Sequence, residues 1–176
     1  MVSGIWKVGL LGVVLAGTVG AAVSGSAGPA VPKDPRYIGA KQCLNCHRDK
    51  ECGDIYAIWE KSDHAKAFAT LATDESKALA KKMGIDDPVT SDKCLSCHVT
   101  AFGIDPKLAK KSFDVEQGVQ CEACHGPGEK HFKARFLAAA SAEQTEGVPK
   151  RQDLPADELL LLPTVEVCLA CHNEES

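Results

Sequence analysis

Four times the chain reads Cys-x-x-Cys-His. The runs are Cys43-Leu44-Asn45-Cys46-His47, Cys94-Leu95-Ser96-Cys97-His98, Cys121-Glu122-Ala123-Cys124-His125 and Cys168-Leu169-Ala170-Cys171-His172. This spacing is the attachment signature of c-type haem, and a turn of helix gives it a physical reason. Residues i, i+3 and i+4 share one helix face. The two thiols can therefore meet the two vinyl groups of one porphyrin, and the neighbouring imidazole can present a ring nitrogen to its iron. Cys43, Cys46, Cys94, Cys97, Cys121, Cys124, Cys168 and Cys171 are the candidate attachment residues. His47, His98, His125 and His172 are the candidate proximal ligands.

Two other chemistries use paired cysteines. Two Cys-x-x-Cys pairs can hold a zinc ion, and a single pair can cycle between dithiol and disulfide. Neither calls for a histidine after the second cysteine at all four places. The repetition therefore predicts four covalently attached haem c groups.

An iron with one histidine takes a second axial ligand or keeps an open position. The chain has six histidines, and four belong to motifs, which leaves His64 and His131 as candidate distal ligands. Two irons then have no histidine. Met83 is a possible ligand, although filling space suits it better. Cys52, the ninth cysteine, is a buried thiol, an intermolecular disulfide partner or a ligand.

The elements that must position these residues read as helices joined by irregular chain. Asp54 is placed to cap a helix through Ile55, Ile58 and Trp59 toward Phe68 and Leu71. Thr73-Asp74 opens a second through Leu79 and Met83, which Gly84 ends. A third runs from Glu129 to about Ala142, after the Gly126-Pro127-Gly128 break. Leu159-Leu160-Leu161-Leu162 is too short to stand alone and is expected to pack on a haem or a helix. No strand pair is evident. The fold class expected is mainly α with extensive irregular loops, compact around four covalently bound haems. Aromatic residues make up 5% of the chain, too few to fill a core, so haem surface must substitute and the haem-free chain is expected not to fold.

The first residues read as an export leader. Lys7 is followed by an apolar run from Val8 to Val23 and then by small residues. A membrane span needs about 20 apolar residues, so cleavage is favoured over an uncleaved anchor. The expected organisation is a signal peptide over 1–27, a Pro-rich lead-in over 28–36 and one tetrahaem domain over 37–176. The location expected is periplasmic or extracellular, with membrane contact only if the leader is retained. With 20 Lys and Arg against 24 Asp and Glu the chain is mildly acidic, which argues against a nucleic-acid partner.

Three stretches resemble the tetrahaem cytochrome c-554 family. The first is the opening motif followed by Trp59, Ser62, His64, Ala65, Ala67 and Phe68. The second is Cys94 to Val99 followed by Phe102-Gly103. The third, and most specific, is Gly118-Val119 through Cys121-Glu122 and Cys124-His125-Gly126-Pro127-Gly128, with His131 just after. The resemblance covers about Tyr37 to His172. It implies a mainly helical shell around closely stacked haem pairs, shuttling electrons between periplasmic redox proteins. It further implies that His64 serves the haem of His125, that His131 serves the haem of His47 and that the haem of His98 is five-coordinate. For the fourth haem it implies a histidine from a C-terminal extension, which nothing after His172 supplies. That haem would be open, take Met83 or be completed by a partner.

The function expected is electron carriage between a redox protein donor and acceptor. The alternatives are a haem enzyme or gas-binding protein acting on nitric oxide or a similar small molecule at an open iron, and a membrane-anchored or complex-bound subunit. Self-association also fits.

Overall fold

The computed structural model describes residues 34–50, 53–142, 155 and 157–174. The expected leader and most of the lead-in lie outside them, as does Cys52. The order is α1 (Ala40–His47), α2 (Ile55–Lys61), α3 (Asp63–Thr70), α4 (Asp74–Lys82), α5 (Asp92–His98), α6 (Cys121–His125), α7 (Glu129–Ala142) and α8 (Val165–Leu169). Single 3-10 turns at Pro106–Leu108 and Val115–Gln117 interrupt the loop between α5 and α6. Among the described residues the strand-like pairing is one isolated parallel bridge, Tyr37 to Ala109. None of the described helices is long and apolar enough to cross a membrane.

Two helical expectations hold and one is corrected. Thr73 caps α4, its side chain accepting from the Ser76 N–H, and α7 spans Glu129–Ala142. The helix expected to run on from Asp54 is instead two helices. Ser62 is extended and its hydroxyl accepts from the Ala65 N–H at 3.4 Å, so a good capping residue inside the apolar pattern starts a new helix. Asp54 does not cap with its side chain. It sits in the left-handed region at φ 50.

Apolar side chains alone build little interior. Among the described residues the buried ones are Ile38, Ala40, Tyr56, Leu71, Ala80, Pro88 and Val99, two of them alanines. Large apolar residues such as Ile58, Phe136, Leu137, Leu162 and Val165 are more than half exposed. What the chain buries instead is a polar frame. Glu122 of α6 accepts from the backbone N–H groups of Ile38, Gly39 and Gly128 at 2.6–3.1 Å. Gln120 accepts from the Ala40 N–H at 2.8 Å, at the start of α1. Its backbone N–H donates to the Thr100 hydroxyl at 2.7 Å, and that hydroxyl donates to the Gly118 carbonyl at 3.0 Å. Glu129 closes the frame, held by Arg36 at 2.7 Å and Lys110 at 2.9 Å. The first, second and third motifs are thus tied together through buried hydrogen bonds that burial makes costly to break.

Candidate cofactor site

Each motif occupies or borders a short helix. The first, second and third end α1, α5 and α6 with their histidines, and the fourth runs from α8 into the turn after it. The helices lie close to one another. The Cys43 thiol is pushed far up, first by its hydrogen-bonding proximity to Cys121 and then by burial, and the same contact pulls Cys121 down. Burial pushes Cys171 up to about 11, with Cys97 adding to it. Cys124 is raised by burial and then by Cys168. In the thioether form these sulfurs would not titrate, so the shifts matter here as a record of adjacency. Motif one neighbours motif three, motif three neighbours motif four, and motif four neighbours motif two.

The two histidines outside the motifs each face a motif histidine. His131 lies ring to ring with His47, centroids 6.2 Å apart and planes 21° from parallel. His64 faces His172 at 5.9 Å with planes 63° apart. A metal-bound imidazole nitrogen stands about 2 Å from the metal, so two rings on opposite sides of one ion are about 6 Å apart between centroids. Aromatic rings in ordinary contact cover the same range. What sets these pairs apart is that one member of each completes a Cys-x-x-Cys-His motif.

The resemblance gives His131 to the haem of His47, whose ring lies beside it here, and gives His64 to the haem of His125, whereas the ring beside His64 of α3 is that of His172. Within α3 the His64 carbonyl accepts from the Val119 N–H at 2.9 Å, and the Trp59 indole donates to the Val119 carbonyl at 2.8 Å. Gly118 makes this approach possible, since a Cβ there would stand 2.7 Å from the His64 carbonyl oxygen. The fourth motif therefore has a facing histidine within the chain. Among the described histidines, His98 and His125 face no other ring. Met83 is 56% exposed at the C-terminal end of α4.

The second nitrogen of several rings is already engaged. His98 Nδ1 lies 2.7 Å from the Ala67 carbonyl, and His125 Nδ1 lies 2.6 Å from the Leu160 carbonyl. A carbonyl can only accept, so each Nδ1 donates, which in a neutral ring is the tautomer that leaves Nε2 for ligation. His131 Nδ1 is 2.8 Å from Glu158 Oε1. His47 Nδ1 is buried with no partner, and burial lowers the proton affinity of that ring, with His131 and His125 adding to the effect. The Leu159–Leu162 run holds His125 through its backbone, because the Leu160 N–H also donates to the His125 carbonyl at 3.1 Å.

The chemistry of this donor set fits c-type haem: paired thiols, imidazoles with a free Nε2, facing rings at ligand spacing and broad apolar surface awaiting cover. Among the described residues no three His, Cys, Asp or Glu side chains converge on one point as a closed zinc site requires. Residues 42–126 match the family model described as cytochrome c554 and c-prime. A cytochrome c-554 of Nitrosomonas europaea is 32% identical over 149 residues, which cover 79% of this chain and 58% of that protein.

The chain belongs to the cytochrome c-554 and c-prime family.

Membership implies covalently bound haem c, and the mainly helical build is consistent with it. The chain spans a little over half the length of that relative. No solved structure matches the chain. Gln120 and Glu158 are not singled out by the sequence, and Glu122 enters there only as part of the third resembling stretch. A signal for Glu122 was present: the residue after the first cysteine is Leu in three motifs, and only the third places a carboxylate there.

Proposed function

We propose that the protein is an exported tetrahaem c-type cytochrome that carries electrons, one at a time, between redox proteins outside the cytoplasm. The observation that carries this reading is that each histidine outside the motifs lies ring to ring with a motif histidine, His131 with His47 and His64 with His172. A bound haem supplies a one-electron iron couple and a conjugated edge. The chain's part is to anchor and orient. Eight cysteines would hold four haems, with His47, His98, His125 and His172 as the motif ligands and His131 and His64 as further ligands beside His47 and His172. The Nδ1 partners hold the tautomer and ring angle. The leader supports export, and the net charge of -4 favours a partner with a complementary face, reached faster at low salt.

Two measurements test this. Intact mass of the purified protein should exceed the chain mass by four haem groups; a smaller increment sinks the tetrahaem count. Carbon monoxide binding to the reduced protein then counts open irons. His131→Ala and His64→Ala should each add one carbon monoxide-binding haem to the wild-type number. No increase in either variant would mean that the facing rings are not ligands.

A further inference from the structure

The facing pair His47 and His131 is lopsided. His47 Nδ1 is buried without a partner. His131 Nδ1 meets a carboxylate, Glu158 Oε1, at 2.8 Å. On His98 and His125 the corresponding partner is a neutral backbone carbonyl. Of these second-nitrogen contacts, His131 alone has one with charge.

Glu158 is built into that position. Its side chain is 6% exposed, although its turn neighbour Asp157 is exposed. Arg135 grips it in two places, Nε to Oε1 at 2.8 Å and a terminal nitrogen to Oε2 at 2.7 Å. The neighbouring Asp157 pairs with Lys130, and Leu160 is bonded to His125, so the segment bearing Glu158 is fixed on both sides. Arg135 and His131 lie four residues apart on α7, on one helix face.

A carboxylate is a stronger acceptor than an amide carbonyl. It draws the Nδ1 proton toward itself and leaves more electron density at Nε2. A more basic ligand stabilises ferric over ferrous iron. Arg135 trims this effect by sharing the same oxygen, but its guanidinium also fixes the carboxylate in the ring plane's reach. We propose that Glu158 is a tuning residue: by accepting from His131 Nδ1 it lowers the midpoint potential of the haem attached at Cys43 and Cys46 below what a neutral acceptor would give. This rests on the reading of His131 as a distal ligand.

The test is a spectroelectrochemical titration of the full holoprotein, with low-temperature electron paramagnetic resonance to follow ligation. In Glu158→Gln the acceptor stays and the charge goes. One midpoint of four should move up, and one low-spin signal should shift without any haem becoming high-spin. Arg135→Gln removes the counter-charge and should move the same midpoint down. An unmoved set of midpoints in Glu158→Gln, with all low-spin signals retained, overturns the proposal. So does a high-spin haem in that variant, which would make Glu158 only a prop for the ring, or a midpoint that rises in Arg135→Gln. His131→Ala separates the underlying reading: if it yields no high-spin haem, the ligand assignment itself has failed, and the tuning role falls with it.

Discussion

Two glutamates hold cofactor-bearing segments in opposite ways. Glu122 sits among backbone N–H groups of Ile38, Gly39 and Gly128. Glu158 sits between charged or ionisable side chains, Arg135 and His131. Burial raises the Glu122 carboxyl against the pull of those amides, whereas the partners of Glu158 hold its carboxyl down. The first arrangement ties the third motif to the N-terminal segment that leads into the first, through backbone donors. The second clamps a short strap, residues 157–160, onto α7 through groups that salt can screen where they are exposed. The frame therefore bears on whether the fold holds, and the strap on the setting of the His131 ring.

The hardest blow to this contrast is Glu122→Leu. It leaves three buried N–H groups unpaired at about 1–3 kcal/mol each, a sum comparable with the whole stability of a domain, about 5–15 kcal/mol. The expected outcome is loss of soluble holoprotein, measured as haem-stained yield. Ordinary yield would show that the frame is dispensable. Gly118→Ala comes next. Its φ of 70 and the 2.7 Å approach to the His64 carbonyl strain any Cβ, at a cost of about 1–3 kcal/mol. Thermal melting should drop, and the low-spin signal assigned to the His64 pair should weaken; an unchanged spectrum would free His64 from this contact.

A gentler test uses acid. Arg36, and after it Lys110, hold the Glu129 carboxyl at about 2 despite the opposing effect of burial. A depressed carboxyl contributes stability that is complete above its unfolded value of about 4.3 and disappears as pH falls toward about 2. Wild-type melting temperature should fall across that window, and Glu129→Gln should flatten the fall; equal slopes would contradict the clamp. The smallest effect expected is Thr73→Ala, the loss of one exposed cap at about 1 kcal/mol. Melting should shift by a few degrees at most with no haem signal disturbed, since α4 bears no motif.

The attachment chemistry was legible because it is local: three residue types at fixed spacing on one turn. The helix from Glu129 to Ala142 and the Thr73 cap were legible for the same reason. The break at Ser62 was missed because the apolar pattern runs through it and a hydroxyl was free to take the Ala65 N–H. Which motif His64 would face was not legible at all. That depends on how α3 packs under Gly118, and no spacing records a contact between residues 64 and 172. Glu158 gave no sign either, since a glutamate before a leucine run looks like any exposed acid until α7 brings Arg135 and His131 to it.

The eight residues of α3 touch more of the molecule's chemistry than their length suggests. The His64 ring faces His172, the His64 carbonyl takes the Val119 N–H just before the third motif, and the Ala67 carbonyl takes the His98 ring. Two turns of helix are thus a common axle for three motifs. A push on its outer face, where Asp63, Lys66 and Ala69 are exposed, would reach the histidine rings of two motifs and the approach to a third without any intervening joint.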